Sequence, residues 1–327
     1  MLNLIFSFSL FSVLGWLLEV GYRSIVAKKF VNPGLLKGPY LILYGSGGVL
    51  LGGFAHLLIG TNIFLKALIY ALITTSLEFV SGIIALKLFN KKLWDYSDNK
   101  FNYKGIICLK FSIYWTLLAL IFDYFIYPRY TSLISHIPAS TKSIFGFGVL
   151  FCMLFDFSKL VQEHFFKYPK EEEEKLKKEF FHLIKPYISH PAILKLKDSY
   201  HHKKKTRFVH VVEVAYYSFL IAKKMSLDVE VTVKGAMLHD LFYYDWLREG
   251  PRLHGFRHPK ISLENAKKFF SLSKKEEDII KKHMWPLTPT PPFYLESLVV
   301  SLIDTFCSLR DYLPGEKKNI VIDRDLE

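Results

Sequence analysis

Five long apolar stretches in the first 160 residues limit the possible folds more than any other feature of the sequence. A membrane-spanning helix needs about 20 mostly apolar residues. Stretches of this kind lie at about 4–22, 40–60, 63–88, 106–127 and 143–161. Residues 1–160 contain 6 Asp or Glu, whereas residues 161–327 contain 24. The sequence therefore predicts an all-α chain, with a five-span transmembrane bundle over 1–161 followed by a cytosolic all-α domain.

Basic residues in the loops predict how the bundle is oriented. The loops after the first and third spans contain nine Lys or Arg, and the alternate loops contain three. Because positively charged loops stay in the cytoplasm, we expect the N-terminus outside and the region after residue 161 inside. The net charge of +13 is spread over both halves. This distribution favours contact with anionic membrane lipid and argues against a nucleic-acid partner.

Four of the predicted spans contain an acidic residue, namely Glu19, Glu78, Asp123 and Asp156. Glu78 lies near the middle of its span, where an unpaired carboxylate is costly and usually faces the interior of the bundle. Two interpretations remain open from the sequence. Either the acids share a polar site, or the other three are solvated at span ends and only Glu78 needs a partner.

Three segments of the N-terminal half resemble a known family. They are Leu14–Val20, Asn32–Gly48 and the aromatic, charged block from Trp94 to Trp115. Over roughly residues 5–160 the chain resembles the ABC-transporter type IV family of bacterial membrane proteins. The resemblance implies a multi-pass protein of the bacterial cell membrane and a role in transport. The sequence contains no Walker A motif that would supply an ATPase.

A charged segment, residues 162–186, follows the last span. From Glu171 to Lys185 acidic residues precede basic ones by about four positions, and Phe180, Phe181 and Ile184 form an apolar edge. This pattern predicts a solvated helix that acts as a stalk. A charged tail that binds a partner is the alternative.

Residues 187–315 read as an all-α domain with an ordered set of metal-ligand residue types, and 316–327 read as a tail. The set comprises His210, His239, Asp240, His258, His283 and Asp304. Imidazoles and carboxylates bind divalent metals, and four His with two Asp suffice for two ions. We therefore expect one or two ions of Mn, Fe, Mg or Zn. A divalent ion with an open coordination position is typical of hydrolytic sites.

Five blocks carry a second resemblance: Thr206–His210, Gly235–Trp246, His254–Ala266, His283–Pro292 and Ser301–Leu309. They resemble the HD superfamily of metal-dependent phosphohydrolases over about 187–315. The resemblance implies a basic metal set of His210, His239, Asp240 and Asp304. It implies that His258 and His283 add the second metal. His254 competes with His258 for the third His position, and Ser262, four residues after His258, favours His258.

Basic residues near the ligands in sequence are candidates for binding the substrate phosphate. Arg207, Lys234 and Arg257 are the nearest, and each is equally compatible with ordinary surface charge. We expect Asp240 to act catalytically by bridging two ions. Three aromatic residues could stack a nucleobase or pack in the core, namely Tyr243, Tyr244 and Trp246.

The function expected from these features is a membrane-anchored metal-dependent phosphohydrolase or phosphodiesterase. Its substrate would be a cytosolic phosphate ester, a nucleotide or a cyclic dinucleotide. The alternative is a membrane transport or sensor protein whose HD domain binds metal and nucleotide without turnover. A third interpretation, chemistry performed by the spans around Glu78, lacks a nucleophile in the sequence. Whether the chain forms a homodimer is left open.

Overall fold

The computed structural model describes residues 1–202, 205–245, 250–252 and 254–312. It divides the chain into two compact units, Met1–His164 and Phe165–Glu327. The described part of the chain is almost entirely helical, with two pairs of very short antiparallel strands. The all-α prediction is confirmed, with a membrane-type helical unit followed by the helical unit that carries the metal-ligand residues.

The N-terminal unit consists of six α-helices and one strand pair. Their bounds are α1 Leu2–Ala27, α2 Ile42–Leu57, α3 Ile63–Phe89, β1 Asn102–Tyr103, β2 Ile107–Cys108, α4 Leu109–Ile121, α5 Tyr127–His136 and α6 Ala139–Val161. A π-helical segment, Phe122–Ile126, joins α4 to α5 without a break. The span predicted at about 106–127 therefore falls largely within the continuous helix Leu109–His136, and the one predicted at about 143–161 falls within Ala139–Phe166.

Four helices of the described chain are long and apolar enough to cross a membrane: Leu2–Ala27, Ile63–Phe89, Leu109–His136 and Ala139–Phe166. The predicted count of five is wrong by this measure, because α2 has 16 residues. At about 1.5 Å per residue it is roughly 24 Å long, less than the ~30 Å hydrocarbon core. Pro39 precedes the helix, and Gly60, with φ +80°, follows it. Both residues disfavour continuation of a helix.

Close helix contacts in this unit depend on glycines. A Cβ atom on Gly15 of α1 would lie 2.1 Å from Cγ of Tyr44, and one on Gly45 of α2 would lie 2.1 Å from Oγ of Ser12. Small residues allow helices to approach closely in a membrane, where packing rather than hydrophobic burial drives association. The outer surface of this unit exposes large apolar side chains, as expected for contact with lipid; Phe151, for example, is 71% exposed.

The acids near the ends of the predicted spans have protein partners. Asp123 is buried and pairs with Lys66, with 2.7 Å between Oδ2 and Nζ. Glu19 pairs with Arg23 at 2.8 Å. Asp156 accepts hydrogen bonds from a tyrosine hydroxyl and a backbone amide. The interpretation of three solvated acids is therefore wrong, since each makes specific contacts inside the unit.

The C-terminal unit consists of seven α-helices and one strand pair among its described residues. Their bounds are α7 Lys170–Ile188, α8 Pro191–Leu194, β3 Tyr200–His202, β4 Lys205–Thr206, α9 Arg207–Lys224, α10 Val229–Leu238, α11 His254–Phe269, α12 Lys274–Lys282 and α13 Leu295–Tyr312. Helix α9 is the core helix, buried along nearly its whole length. It packs against α10 and α13, and α12 packs against both of these helices.

Helix α7 is packed along one side rather than solvated all round, unlike the stalk expected at 162–186. Its residues Leu176, Phe180 and Ile184 are buried and recur every four positions. They form one helical stripe. The ring of Phe180 packs 5.1 Å from that of Tyr216 on α9, measured between centroids. The helix therefore packs into the C-terminal unit, which begins at Phe165 rather than 187. The predicted tail, 316–327, lies outside the described residues.

Side-chain caps define where the ligand-bearing helices begin. Thr206 caps α9, Asp228 caps α10, and Ser273 forms a capping box with Glu276 at the start of α12. Such caps satisfy amide groups in the first helical turn. They place His210 within the second turn of α9, and they start the two helices whose last residues directly precede His239 and His283.

Candidate metal centre

Five parts of the C-terminal unit bring the six predicted ligands together. His210 lies on α9, His239 and Asp240 directly follow α10, His258 lies on α11, His283 directly follows α12 and Asp304 lies on α13. All six are buried, and the most exposed of them, Asp304, is 7% exposed. Buried ionisable side chains are normally paired or bound to metal. Among the described residues, these six form two groups of three potential ligands.

The first group consists of His210, His239 and Asp304. Nε2 of His210 lies 2.9 Å from Oδ1 of Asp304, and Nε2 of His239 lies 3.7 Å from the same oxygen. Three ligand atoms from three helical elements thus converge on one point. The sequence places these residues up to 94 positions apart, so only the tertiary fold brings them together.

The second group consists of Asp240, His258 and His283. Oδ1 of Asp240 lies 3.3 Å from Nε2 of His258 and 3.8 Å from Nε2 of His283. The two groups are neighbours, because the rings of His239 and His283 pack with centroids 4.9 Å apart. The adjacent residues His239 and Asp240 belong to different groups, so this short segment supplies one ligand to each group.

Backbone carbonyls orient three of the imidazoles. Nδ1 of His239 and Nδ1 of His283 each lie within 2.8 Å of the carbonyl oxygen three residues earlier, and Nδ1 of His258 lies 3.1 Å from the carbonyl four residues earlier. A carbonyl only accepts hydrogen bonds, so Nδ1 carries the proton in each ring. Metal-binding histidines are commonly held this way, with the other nitrogen facing the ion.

The second group fits a divalent metal. Nε2 of His258 and Nε2 of His283 are 2.7 Å apart, although both rings already place their proton on Nδ1. Two lone pairs at this distance repel each other unless a cation lies between them. Ligand nitrogens of a tetrahedral zinc site are about 3.3 Å apart, given Zn–N distances of about 2.0 Å. The donor chemistry is therefore that of ligands to a shared ion, which would hold the two nitrogens about 0.6 Å farther apart than they are here.

The electrostatics of the first group also favour a cation. Although burial disfavours charge on His239, the carboxylates of Asp304, 3.7 Å from its Nε2, and of Asp240 raise its pKa to about 9. Burial disfavours the carboxylate of Asp304, yet the hydrogen bond with His210 and the nearby ring of His239 hold its pKa well below the usual value. In the second group, burial and neighbouring imidazoles lower the pKa of His283 to about 3. His283 is therefore a neutral ligand at neutral pH.

Arg207 lies beside the cluster but is fully buried. Its Nε lies 4.0 Å from Oδ2 of Asp240, and its guanidinium stacks 3.6 Å from the ring centroid of Phe242. It also donates to the carbonyl oxygens of Phe242 and Tyr244. These contacts orient Asp240 and the chain that follows it. Arg207 is therefore held against Asp240 and the chain after it, and its contact with a substrate phosphate stays a prediction.

The other two expected phosphate ligands do not join the cluster. Lys234 donates to the carbonyl of Ser271 and pairs with Glu276, 3.2 Å away. Arg257 is exposed on α11. Their contact with a substrate phosphate stays a prediction, and a helix turns by about 100° per residue, so neighbours of a ligand in sequence can lie on other faces.

His254 and the aromatic residues after Asp240 have other contacts. His254 stacks on the ring of His258, with centroids 4.6 Å apart, and its Nδ1 lies 3.2 Å from the hydroxyl of Tyr244. Tyr243 donates to the carbonyl of Ala192. The geometry therefore groups His258, not His254, with the other ligands. Trp246, the third aromatic considered, lies outside the described residues.

Asn265 is a supporting residue that was not singled out from the sequence. Its Nδ2 donates to the carbonyl of Leu241, 3.0 Å away, directly after the His239–Asp240 pair. It lies seven residues after His258 on the same face of α11. The spacing of seven residues from His258 could have indicated this contact from the sequence. An asparagine on a polar helix, however, is usually solvated. The contact ties α11 to the chain segment that bears two ligands.

Comparison with protein families agrees with this division. Residues 6–161 match the family model described as Putative ABC-transporter type IV, and residues 207–309 match the HD domain. The chain thus matches one family over its N-terminal half and another over its C-terminal half, and both resemblances inferred from the sequence are confirmed. No solved structure matches the chain. HD domains mark the superfamily of metal-dependent phosphohydrolases.

Proposed function

We propose that this protein is a membrane-anchored phosphohydrolase or phosphodiesterase that cleaves a cytosolic phosphate ester, either a nucleotide or a cyclic dinucleotide. The observation that carries the proposal is the pair of adjacent ligand groups in the HD domain. Two neighbouring metal positions are typical of enzymes that hydrolyse phosphate esters. The basic loops of the membrane domain support a cytoplasmic position for the HD domain.

The six buried side chains would hold two divalent ions, of Mn, Fe, Mg or Zn. His210, His239 and Asp304 would bind one ion, while Asp240, His258 and His283 would bind the other. Such ions supply an activated water and neutralise charge on the phosphoryl oxygens. Asp240 belongs to the second group and directly follows His239 of the first, and we expect it to serve catalytically by bridging the two ions.

The protein's own groups would prepare the site. Carbonyl acceptors fix the proton of three imidazoles on Nδ1 and turn Nε2 inward. Arg207 approaches Oδ2 of Asp240, which leaves Oδ1 toward His258 and His283. This arrangement reduces the reorganisation needed when metal and substrate bind.

A matched pair of variants tests this proposal. Purified full-length protein is loaded with manganese, and its metal content and hydrolysis of bis(p-nitrophenyl) phosphate and of cyclic dinucleotides are measured. His258→Gln should lose one metal equivalent and about a hundredfold or more in hydrolysis rate. His254→Gln, one helical turn away, should retain both. Equal effects of the two substitutions, or full hydrolysis without bound metal, would contradict the ligand assignment.

One observation favours the alternative, a sensor that binds metal and nucleotide without turnover. Of the three basic residues expected to bind phosphate, Arg207 is buried, Lys234 pairs with Glu276, and Arg257 is exposed on α11. Equilibrium dialysis with a cyclic dinucleotide distinguishes the two functions. Binding to the manganese-loaded protein with no product after prolonged incubation would support the sensor.

A further inference from the structure

The membrane domain contains a cavity of about 180 Å³ that the proposed hydrolysis does not use. It lies among α1, α2, α3 and α4, next to the loops that follow α1 and α3. Its polar lining includes two carboxylates, Glu19 and Glu78, and one cation, Arg23. A polar cavity within a membrane domain requires a reason, because ionisable groups are costly there and usually serve function.

Glu78 is the residue that points to a ligand. It is 2% exposed, and its Oε1 accepts hydrogen bonds from the hydroxyl of Tyr96, at 2.8 Å, and from the indole nitrogen of Trp115, at 3.0 Å. Its Oε2 is buried and has no hydrogen-bond partner in the described structure. A carboxylate oxygen in such a position retains a large desolvation cost.

The charges of the cavity leave Glu78 uncompensated. Arg23 is committed to Glu19, 2.8 Å away, and also donates to the carbonyl of Leu93. The donors to Glu78 are a phenol and an indole, which are both neutral. The ionised cavity therefore carries one negative charge in excess, and a bound monovalent cation would balance it.

Aromatic rings determine which kind of cation fits. Tyr44 and Trp115 line the cavity together with Glu78, and their rings pack edge to face with centroids 5.3 Å apart. Trp94 and Tyr96 also line it. Ring faces attract organic ammonium ions. Hard metal ions such as Ca²⁺ need six or more oxygen ligands, a donor set unlike this mixture of rings and one free carboxylate oxygen.

A second cavity provides room for an apolar substituent. It has a volume of about 210 Å³, an almost entirely apolar lining, and shares Tyr44, Glu78 and Trp115 with the first. Each cavity is smaller than the roughly 300–1,000 Å³ of typical ligand sites. Together they suit a small amphiphilic molecule whose charged group contacts Glu78.

We propose that the membrane domain binds an organic ammonium ion in this cavity, with the cationic group between the free Oε2 of Glu78 and the rings of Tyr44 and Trp115. The site is separate from the HD domain and does not depend on its proposed activity. Glu78 supplies the balancing charge, and the rings supply selectivity for an organic cation over a metal ion.

Binding of choline and of its neutral isostere, 3,3-dimethylbutan-1-ol, tests this proposal. Both probes are titrated calorimetrically into the purified full-length protein in lipid nanodiscs. Choline should bind with a saturable isotherm, and the isostere, which lacks only the charge, should bind about tenfold or more weakly. Equal binding of the two probes, or no choline binding up to about 10 mM, would overturn the proposal.

Substitutions locate the binding site. Glu78→Gln keeps an oxygen that can accept from Tyr96 and Trp115 but removes the charge, so it should weaken choline binding about tenfold or more. Asp123→Asn changes another buried acid of the same domain that does not line the first cavity and should leave choline binding unchanged. Far-ultraviolet circular dichroism and the size-exclusion elution of the purified variants serve as readouts of folding for both. Undiminished binding by correctly folded Glu78→Gln, or displacement of choline by sodium at equal concentration, would contradict the assignment.

Discussion

At the scale of single residues, the orientation of each imidazole matters as much as its presence. Three histidines of the cluster donate through Nδ1 to a carbonyl of the preceding turn. This geometry arises because His239 and His283 each directly follow a helix, where a carbonyl three residues earlier lacks its usual partner. The helix ends thus act as the outer support of the metal site.

Proton release on metal binding follows from the pKa of His239. Burial disfavours the charged ring, but the nearby carboxylates of Asp304 and Asp240 outweigh it and raise that pKa to about 9 in the metal-free protein. At pH 7 the ring is therefore protonated, and a metal must displace the proton. We expect about one proton released per chain at pH 7 and progressively less as pH rises through about 9.

Calorimetric titration of manganese in buffers of different ionisation enthalpy measures this release. His239→Gln should abolish it, whereas His254→Gln, which changes a histidine outside both groups, should preserve it. Release that is independent of pH between 7 and about 10 would show that another group carries the proton.

At the scale of secondary-structure elements, the apolar stripe of α7 determines how this helix packs. Its charged face predicted a solvated stalk, but its buried stripe of Leu176, Phe180 and Ile184 packs in the C-terminal unit. Lys223 of α9 also pairs with Glu179, at 2.7 Å. An apolar edge of three residues is enough to dock a helix when a complementary surface exists.

Two adjacent phenylalanines test the docking of α7. Phe180 is fully buried, whereas Phe181 is only partly buried. Phe180→Ala should lower the free energy of unfolding of the C-terminal unit by about 3–5 kcal/mol. Phe181→Ala should cost clearly less. Chemical denaturation followed by circular dichroism compares them, and equal losses would indicate that α7 does not contribute through this stripe.

At the scale of the whole molecule, the chain consists of one unit suited to lipid and one unit suited to water. The N-terminal unit exposes large apolar side chains, as lipid requires, and the C-terminal unit buries its apolar core around α9. All six proposed metal ligands lie in the C-terminal unit. Metal binding should therefore stabilise one unit and not the other.

Removal of metal from the full-length protein tests this separation. With free metal at about 100 times its dissociation constant, binding stabilises the native state by about 2.7 kcal/mol. Chelation should therefore speed amide exchange in α9, α10 and α13 and leave α1 to α6 unchanged. Hydrogen exchange followed by mass spectrometry resolves the two regions. Equal acceleration in both units would contradict metal binding confined to the HD domain.

Sequence patterns are sufficient where the physics is local. Length and hydropathy predicted the long membrane helices, since each span satisfies its own backbone hydrogen bonds. The six ligand-type residues were also evident from their order along the chain. The second span was overestimated, because the apolar stretch at about 40–60 includes residues on both sides of helix α2, which covers only Ile42–Leu57.

Long-range packing decided the rest. The division of the ligands into two groups, the choice of His258 over His254 and the burial of Arg207 depend on contacts between helices far apart in sequence. Likewise, Glu78 was conspicuous in its span, but its cavity exists only where α1, α2, α3 and α4 meet. Local pattern thus determined which side chains are available, while tertiary packing determined which of them face one another, because that depends on the relative rotation of helices.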